Sequence, residues 1–404
     1  MKHINDYLSE NLDTTLNEKA FNEVDFSLLS QLSYLDLEDI VSSGAQKISF
    51  ADAYKIYKEK GRVATDPKYD ELFMKVANST RYKNLKLSHF MQVDNPETLE
   101  QFGAYCLDIS LYHKAMFFRP TNDYLYAWKE NFSVMYKHAS ETQLESAKYF
   151  NNVAKMHPFQ RFTLCGHSKG GNNAMYAATG ANLFNQTKIK QIINFDGPGF
   201  NHDLNEGITN ANLASKVTTY VPEGSIIGRL LDHNPNEKVI IVKGDTENGT
   251  PQHDMNEWLV GENGFERAEK FNYKSDLIDN KFREIIDSLS LENREQFING
   301  LFDILSNTNY TKLSQVLEKP RKLFHAYFKS DRESRTLVRD VVLNVLRDRQ
   351  FMKAVMGKKL TKDIEKYVKT VTSVDKDINK AKDNNLVNNE VVNHNDAMEM
   401  SMTF

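Results

Sequence analysis

The apolar residues of the first part of the chain fall into helical spacings and short buried runs. Across residues 24–41 they recur every three or four positions, which is typical of a helix. Residues 115–118 form a short apolar run bounded by charge and by Pro120, which predicts a buried strand. Residues 102–111 show no clear period, and helical spacing returns over residues 144–154.

A strand, a tight turn and a helix follow one another in the centre of the chain. Residues 162–165 predict a strand, Gly166 follows at once, and residues 174–178 are good helix formers. Three more short strands are predicted at regular intervals and in nearly continuous apolar runs, namely residues 192–195, 217–221 and 239–242. Such runs are typical of strands covered on both faces, and their alternation with helices predicts an α/β fold with a mainly parallel central sheet.

The character of the sequence changes after about residue 275. Apolar residues at positions i, i+3, i+4 and i+7 predict several helices that continue to about residue 370. Residues 376–404 are rich in Asn, Asp and Lys, so we expect a polar mobile tail there.

Composition limits the classes of partner. The 404 residues include 51 Lys and Arg against 55 Asp and Glu, and this net charge of −4 gives no reason to expect a nucleic-acid partner. The two cysteines, Cys106 and Cys165, make no disulfide framework or zinc motif. No apolar stretch approaches the ~18 residues of a spanning helix, and the N-terminus lacks the apolar core of a signal peptide. We therefore expect a cytoplasmic protein, with export by a specialised secretion system as the alternative.

The strongest chemical signal is the segment Gly166-His167-Ser168-Lys169-Gly170-Gly171. It contains Gly-x-Ser-x-Gly between a predicted strand and a predicted helix, where a strained turn exposes a serine nucleophile. The following helix directs its N-terminal amides at the same point, where an oxyanion would form. The alternative is a glycine-rich turn with an inert serine.

A serine nucleophile needs a base, and His253 fits this role best. It is the first histidine after the last predicted strand, in a polar segment. The alternative is an exposed loop histidine. The side chain of His167 must point away from Ser168, so we expect it to pack or to form a hydrogen bond.

Two carboxylates are candidates for the acid that orients the base. Asp196 ends the strand after the nucleophile helix and precedes Gly-Pro-Gly, whereas Glu223 follows the next strand. Both are predicted at carboxyl ends of parallel strands, where functional groups collect. Asp196 is the first choice, although a turn-capping aspartate and a solvated loop glutamate are the alternatives.

An oxyanion hole needs two amide donors. The N–H of Lys169, directly after the serine, is expected to be one. The second is expected from the segment after the strand that ends at Phe118, and Thr121 is our candidate because Pro120 has no N–H. A simple turn is the alternative interpretation of that segment.

Together these stretches resemble a lipase-like α/β-hydrolase family of Gram-positive bacteria that has been catalogued as a domain of unknown function, and more distantly class 3 lipases. The matching stretches are FNEVDFSLLSQLSYLDLEDIV (21–41), FFRPTNDYLYAWKENF (117–132), FTLCGHSKGGNNAMYAA (162–178), INFDGPGF (193–200), YVPEGSIIGRLL (220–231), QHDMNEWL (252–259) and LENREQFINGLFDIL (291–305).

The resemblance implies a serine hydrolase with Ser168 as nucleophile and His253 as base. FDGPGF is similar to the aspartate segment of pancreatic-type lipases, which favours Asp196, while class 3 lipases place their aspartate after the following strand, which keeps Glu223 open. The family usually has Phe-Arg-Gly-Thr-Asp where this chain has Phe-Arg-Pro-Thr-Asn, and Pro120 there implies a displaced or slowly formed oxyanion hole.

The expected domain organisation combines the residue patterns along the chain with this resemblance. It comprises a polar N-terminal arm (1–20), an α/β-hydrolase domain (21–270), a helical C-terminal region (271–375) and the polar tail (376–404). The predicted function is hydrolysis of acyl esters, either small molecules or lipids, without cofactor or metal. The alternatives are a thioesterase or peptidase with the same triad, and a catalytically weak scaffold that recruits a protein partner through its C-terminal helices.

Overall fold

An eight-stranded sheet forms the centre of the protein. The computed structural model describes residues 1–201, 210–246, 249–348 and 351. The strands of the sheet are β1 (Ile48–Ser49), β2 (Lys86–Asn95), β3 (Glu100–Ser110), β4 (His113–Phe118), β5 (Arg161–His167), β6 (Ile189–Phe195), β7 (Val217–Pro222) and β8 (Lys238–Val242). A separate two-stranded hairpin pairs β9 (Val260–Gly261) with β10 (Gly264–Phe265).

The strands lie side by side in the order in which they occur along the chain. The pairs from β1 to β4 are antiparallel, and the pairs from β4 to β8 are parallel. Parallel neighbours need crossover connections, and these are right-handed in almost all proteins. Because β4 to β8 run in the same direction, their carboxyl ends lie at the same edge of the sheet.

Fifteen helices are described in these ranges. Before and between the sheet strands lie α1 (Ile4–Asn11), α2 (Glu23–Gln31), α3 (Phe50–Glu59), α4 (Pro67–Asn78), α5 (Leu125–Ser133), α6 (Glu141–Met156), α7 (Lys169–Thr179), α8 (Leu183–Lys188) and α9 (Ala211–Ala214). After the sheet lie α10 (Gly249–Gln252), α11 (Tyr273–Ser288), α12 (Leu291–Ser306), α13 (Leu313–Leu317), α14 (Pro320–Lys329) and α15 (Arg332–Arg347). None of the helices in the described ranges is both long enough and apolar enough to cross a membrane.

Two hydrophobic cores cover the two faces of the sheet. On one face, helices α6 and α7 pack on inward side chains such as Met116, Phe118 and Leu164. On the other face, the N-terminal helices and the segment around Trp258 enclose Phe117 and Cys165. The alternation of these residues along β4 and β5 is the period of two that a strand imposes.

The α-helix predicted over residues 24–41 ends earlier than its apolar spacing indicates. Helix α2 stops at Gln31, a short 3-10 turn covers Leu32–Tyr34, and Leu35 is extended (φ −75°, ψ 140°). The side chains of Leu35, Leu37 and Ile40 are nevertheless buried. Their spacing therefore reports burial of an irregular segment, and the prediction of a helix there was wrong.

The chain divides into two compact units, residues 1–340 and residues 341–404. The first contains the whole sheet and helices α1 to α14. Of the second, the structure describes only residues 341–348 and 351. The predicted tail at 376–404 lies outside the described residues, and the predicted domain boundaries stay a prediction.

Candidate active site

Ser168 lies in the sharp turn between β5 and α7, at the carboxyl edge of the parallel strands. Its backbone has φ 56° and ψ −127°, a combination that is costly for any residue other than glycine. The amide of Ser168 donates a hydrogen bond to the carbonyl oxygen of Phe195 (2.9 Å), which holds the turn against β6. This strained turn is the geometry expected of Gly-x-Ser-x-Gly motifs.

The glycines beside Ser168 are required by close backbone contacts. A Cβ atom on Gly166 would lie 2.2 Å from the carbonyl oxygen of Gly170, and one on Gly170 would lie 2.1 Å from that of Phe118. Backbone atoms cannot yield as the end of a side chain can. The turn thus brings strand β4, strand β5 and the first turn of α7 together only when both positions lack a side chain.

The imidazole of His253 lies between Ser168 and Asp196. Its Nε2 atom is 2.9 Å from Oγ of Ser168, and its Nδ1 atom is 2.6 Å from Oδ2 of Asp196. His253 follows α10, and the preceding Gln252 fixes this segment because its side chain accepts a hydrogen bond from the amide of Gly224 (2.7 Å). The structure therefore brings together the three side chains that the sequence singled out.

Asp196, rather than Glu223, is the carboxylate in contact with the histidine. Asp196 is completely buried, and its Oδ1 atom accepts hydrogen bonds from Oγ of Ser225 (2.5 Å) and from the amide of Gly228 (3.1 Å). Its backbone has φ 49°, in the left-handed region that residues other than glycine rarely adopt. The Glu223 carboxylate makes no recorded hydrogen bond or ion pair within the described ranges, although its backbone N–H and C=O are bonded to Val242 and Asn272.

His167 contacts the backbone and the ring of His253. Its Nε2–H donates to the carbonyl oxygen of His253 (2.8 Å), and the two rings lie 4.6 Å apart. Burial, together with the nearby His253, lowers the pKa of His167 to about 3, so its ring is neutral. This agrees with the prediction that His167 packs or forms a hydrogen bond rather than facing Ser168.

Lys169 anchors the first turn of α7 in the protein interior. Its Nζ donates to the carbonyl oxygen of Gln101 (2.8 Å) and to the carboxylate of Glu130 on α5 (3.0 Å). Burial lowers the pKa of Lys169, and the charge of Glu130 opposes this effect. The main-chain N–H of Lys169 belongs to the first turn of a helix, where amides have no partner within the helix and are available to an anion.

Thr121, the predicted second oxyanion donor, lies in the segment between β4 and α5. Its Oγ1 accepts a hydrogen bond from Nδ2 of Asn131 (2.5 Å), and Asn131 lines the cavity beside Ser168. The role of the Thr121 amide stays a prediction.

A largely apolar cavity opens next to Ser168. It encloses about 660 Å³ of empty space, open solvent included. Its apolar wall comes from α5, the residues that follow it and the segments after β6 and β7, namely Trp128, Phe132, Val134, Met135, Pro198, Ile227, Leu230 and Leu231. Three buried polar atoms of this wall have no hydrogen-bond partner within the described residues: Nε1 of Trp128, Oδ1 of Asn131 and Oδ1 of Asn173. The cavity thus offers a largely apolar surface next to Ser168.

Several residues of the site were not found by sequence reasoning. Ser225 and Gly228, which hold Asp196, both fall within a stretch that carried the family resemblance, but no local motif assigns them a partner. The same is true of Glu130, whose carboxylate meets Lys169 39 positions away along the chain. Such contacts depend on how the segments after different strands meet at the edge of the sheet.

Two solved lipase structures are similar to parts of this chain at low identity. Among solved structures, the chain is similar to lipase II from Rhizopus niveus, with 16% identity over 48% of this chain and 76% of that one and a TM-score of 0.29. It is also similar to a triacylglycerol lipase whose catalytic centre is described as a serine protease triad, with 14% identity over 55% of this chain and 78% of that one and a TM-score of 0.30. No curated protein matches the sequence significantly.

The family is identified by a sequence match. The Mbeg1-like family matches residues 76–303, more than half of the chain, so the chain belongs to the Mbeg1-like family. The predicted distant relationship to lipase-like proteins and the predicted α/β-hydrolase fold are confirmed.

Proposed function

We propose that this member of the Mbeg1-like family is a serine hydrolase that cleaves carboxylic acyl esters through an acyl-enzyme intermediate. The observation that carries the proposal is the continuous hydrogen-bonded chain from Ser168 Oγ through His253 to the buried carboxylate of Asp196. Nucleophile, base and orienting acid in this order and at these distances are the machinery of acyl transfer.

In the proposed reaction, His253 first accepts a proton from Ser168 and then donates it to the leaving group. Ser168 Oγ attacks the ester carbonyl carbon while its proton passes to Nε2 of His253. Asp196 accepts the Nδ1–H hydrogen bond and stabilises the imidazolium that forms. Nε2–H then protonates the leaving alcohol, and the acyl group remains on Ser168. A water molecule activated by His253 releases the carboxylic acid and restores the serine.

The negative charge on the tetrahedral oxygen requires donors that are already oriented. We assign the first to the main-chain N–H of Lys169, whose helix is fixed by the buried contact of its own side chain with Glu130. We assign the second to the N–H of Thr121. Pro120 restricts the backbone next to this donor, so formation of the complete hole is expected to be slower than with glycine at position 120.

The cavity beside Ser168 supports an ester with an apolar acyl chain. The apolar wall formed by residues such as Phe132 and Leu231 suits a hydrocarbon chain, whose burial is favourable in proportion to its area.

The test is labelling with a fluorophosphonate probe, which reacts with a serine activated by its base whatever the natural substrate. The wild type is expected to be labelled, and Ser168→Ala and His253→Ala are expected to lose labelling. Ser9→Ala, which changes an exposed serine of α1, is the matched control. Hydrolysis of p-nitrophenyl esters from short to long acyl chains then gives the preferred length, and matched thioesters and anilides give the preferred bond.

Two outcomes contradict the proposal. Equal labelling of wild type and Ser168→Ala would assign the reactivity to another residue. A folded wild type that is neither labelled nor able to hydrolyse any ester of the series would leave the site without acyl-transfer activity.

A further inference from the structure

The edge of the sheet opposite Ser168 forms a second surface, which differs from the catalytic edge in its exposed apolar side chains and its charge. At this edge the strands β4, β5 and β6 begin, with His113 paired to Arg161 and Phe162 paired to Ile189. Because a strand rises about 3.3 Å per residue, this edge lies on the order of 20 Å from the catalytic edge. We call the surface formed by residues 110–113, 155–161 and 182–190 the basal surface.

The basal surface exposes large apolar side chains from three separate segments. Of the described residues, Phe159 (84% exposed) and Leu183 (79% exposed) are the most exposed large hydrophobic residues after Met1. The full set is Leu111, Tyr112, Met156, Phe159, Leu183 and Phe184. Single exposed apolar residues are normal, but six at one edge of a sheet are a patch that calls for a partner.

Hydrogen bonds connect the three segments into one surface. Gln160 Nε2 donates to the carbonyl oxygen of Leu111 (2.8 Å), and the Arg161 guanidinium donates to that of Thr187 (2.5 Å). Lys188 ties the third segment to the end of α6, because its Nζ donates to the carbonyl oxygen of Ala154 (2.7 Å) and lies 4.7 Å from the centre of the Phe184 ring. The apolar side chains therefore project from a single cross-linked base.

The charge of the basal surface is opposite to that of the whole chain. Its three segments contain Lys155, Arg161, Lys188 and Lys190 and no Asp or Glu, in a protein with a net charge of −4. The nearest acidic residue in sequence, Asp108, is paired with Lys47 (2.5 Å) and with Lys114. The positive charge is thus local, and no carboxylate within these segments neutralises it.

We propose that the basal surface docks on an anionic lipid bilayer. Side chains of Leu, Met and Phe on separate segments enter the boundary between headgroups and acyl chains without needing a partner of complementary shape. The exposed side chains of Lys155, Arg161 and Lys190 attract anionic headgroups, and the Tyr112 ring suits the headgroup level. In this orientation the Ser168 cavity faces away from the bilayer, so docking retains the protein at a surface and leaves its catalytic edge accessible from the water phase.

The test is co-sedimentation of the full chain with vesicles of phosphatidylcholine containing phosphatidylglycerol and with vesicles of phosphatidylcholine alone. We expect binding to the anionic vesicles only, weakening as salt is raised. Phe159→Ser/Phe184→Ser and Lys155→Glu/Lys190→Glu are each expected to lower the partition coefficient by about tenfold or more. Hydrolysis of a water-soluble ester by both variants is expected to equal that of the wild type.

Matched controls lie on another part of the protein. Val63→Ser removes a side chain that is 77% exposed, and Lys58→Glu reverses an exposed charge on α3, so neither is expected to change vesicle binding. Thermal unfolding checks that the double variants are folded, and the single change Phe159→Ser repeats the test with less perturbation.

Three results would overturn the proposal. The first is a full chain that does not bind the anionic vesicles. The second is binding that the basal variants leave unchanged. The third is self-association of the chain, without vesicle binding, that Phe159→Ser/Phe184→Ser abolishes, because this would make the basal surface a protein interface.

Discussion

The ammonium group of Lys169 lies 3.0 Å from the carboxylate of Glu130, and both side chains are buried. The other carboxylate oxygen of Glu130 accepts hydrogen bonds from the amide (3.0 Å) and the hydroxyl (2.6 Å) of Thr142. The residue after the nucleophile, the cavity helix α5 and the start of α6 are therefore tied to one carboxylate. A charged pair of this kind is stable only while both partners and their hydrogen bonds are present.

Removal of one partner is expected to be severe. Lys169→Met leaves Glu130 as an uncompensated buried charge, and we expect a loss of about 3–5 kcal/mol in the free energy of unfolding, measured by urea titration. The double variant Lys169→Met/Glu130→Gln is expected to regain part of this loss because the buried charge is gone. Lys148→Met, which breaks the exposed pair with Glu145, is the control and is expected to change little. A single variant as stable as the wild type would contradict the prediction.

The two candidate acids are expected to differ sharply in kinetics. In Asp196→Asn, the amide of Gly228 and the hydroxyl of Ser225 keep an oxygen at the Oδ1 position, so the new NH2 group faces Nδ1 of His253. This favours the wrong tautomer of the imidazole, and we expect kcat for a short ester to fall about a thousandfold or more. Glu223→Gln is the control, and kcat is expected to remain at the wild-type value. A large loss in Glu223→Gln, or none in Asp196→Asn, would assign the acid differently.

The parallel part of the sheet could be predicted from the sequence because its strands are short apolar runs between helical segments. The antiparallel strand β3 could not be predicted. Seven consecutive residues of this strand are buried, so it has no alternation of apolar and polar positions, and it contains Gly103 and Ala104 rather than a run of β-branched residues. Its strand conformation depends on pairing with β2 and β4, and the local sequence pattern does not indicate this pairing.

For the candidate site too, only part of the structure could be predicted from the sequence. Ser168, Asp196 and His253 each follow a predicted strand, and parallel strands bring such positions to one edge. The contacts that hold them could not be predicted, because Ser225, Gly228 and His167 act through single hydrogen bonds that depend on the packed positions of distant segments. Sequence therefore indicates the reacting groups more readily than the groups that position them.

His167 is expected to make stability depend on pH. Because burial lowers its pKa from 6.5 to about 3, the unfolded chain binds a proton below pH 6.5 that the folded chain does not bind until about pH 3. The contribution of this residue to the free energy of unfolding therefore falls as the pH decreases from 6.5 towards 3, by at most about 1.4 kcal/mol per pH unit.

The change His167→Gln isolates this contribution. Glutamine retains an N–H donor for the carbonyl oxygen of His253 but does not titrate. We expect the free energy of unfolding of this variant to fall less steeply with decreasing pH than that of the wild type. Between pH 6 and pH 4 the two slopes are expected to differ by the binding of about one proton, which is about 1.4 kcal/mol per pH unit. Other histidines whose pKa values burial lowers to about 4, such as His89 and His113, contribute equally to both proteins and cancel in the comparison. Identical slopes would refute the assignment to His167.

At Gly170, helix propensity and packing predict opposite effects of a substitution by alanine. It lies in the first turn of α7, and alanine is the better helix former by about 1 kcal/mol, so propensity alone predicts that Gly170→Ala stabilises the protein. The added Cβ would, however, lie 2.1 Å from the carbonyl oxygen and 2.9 Å from the carbonyl carbon of Phe118. Relief of this overlap requires α7 and β4 to move apart at the turn that carries Ser168.

We therefore expect the packing effect to win. Gly170→Ala should lower the free energy of unfolding by about 2 kcal/mol or more, and the folded fraction should react much more slowly with the fluorophosphonate probe. Gly44→Ala is the matched control, since its Cβ would meet nothing closer than Oγ of Ser42 at 3.6 Å, and its stability and labelling should equal those of the wild type. If Gly170→Ala proves as stable and as reactive as the wild type, the close approach of α7 to β4 is not what positions Ser168.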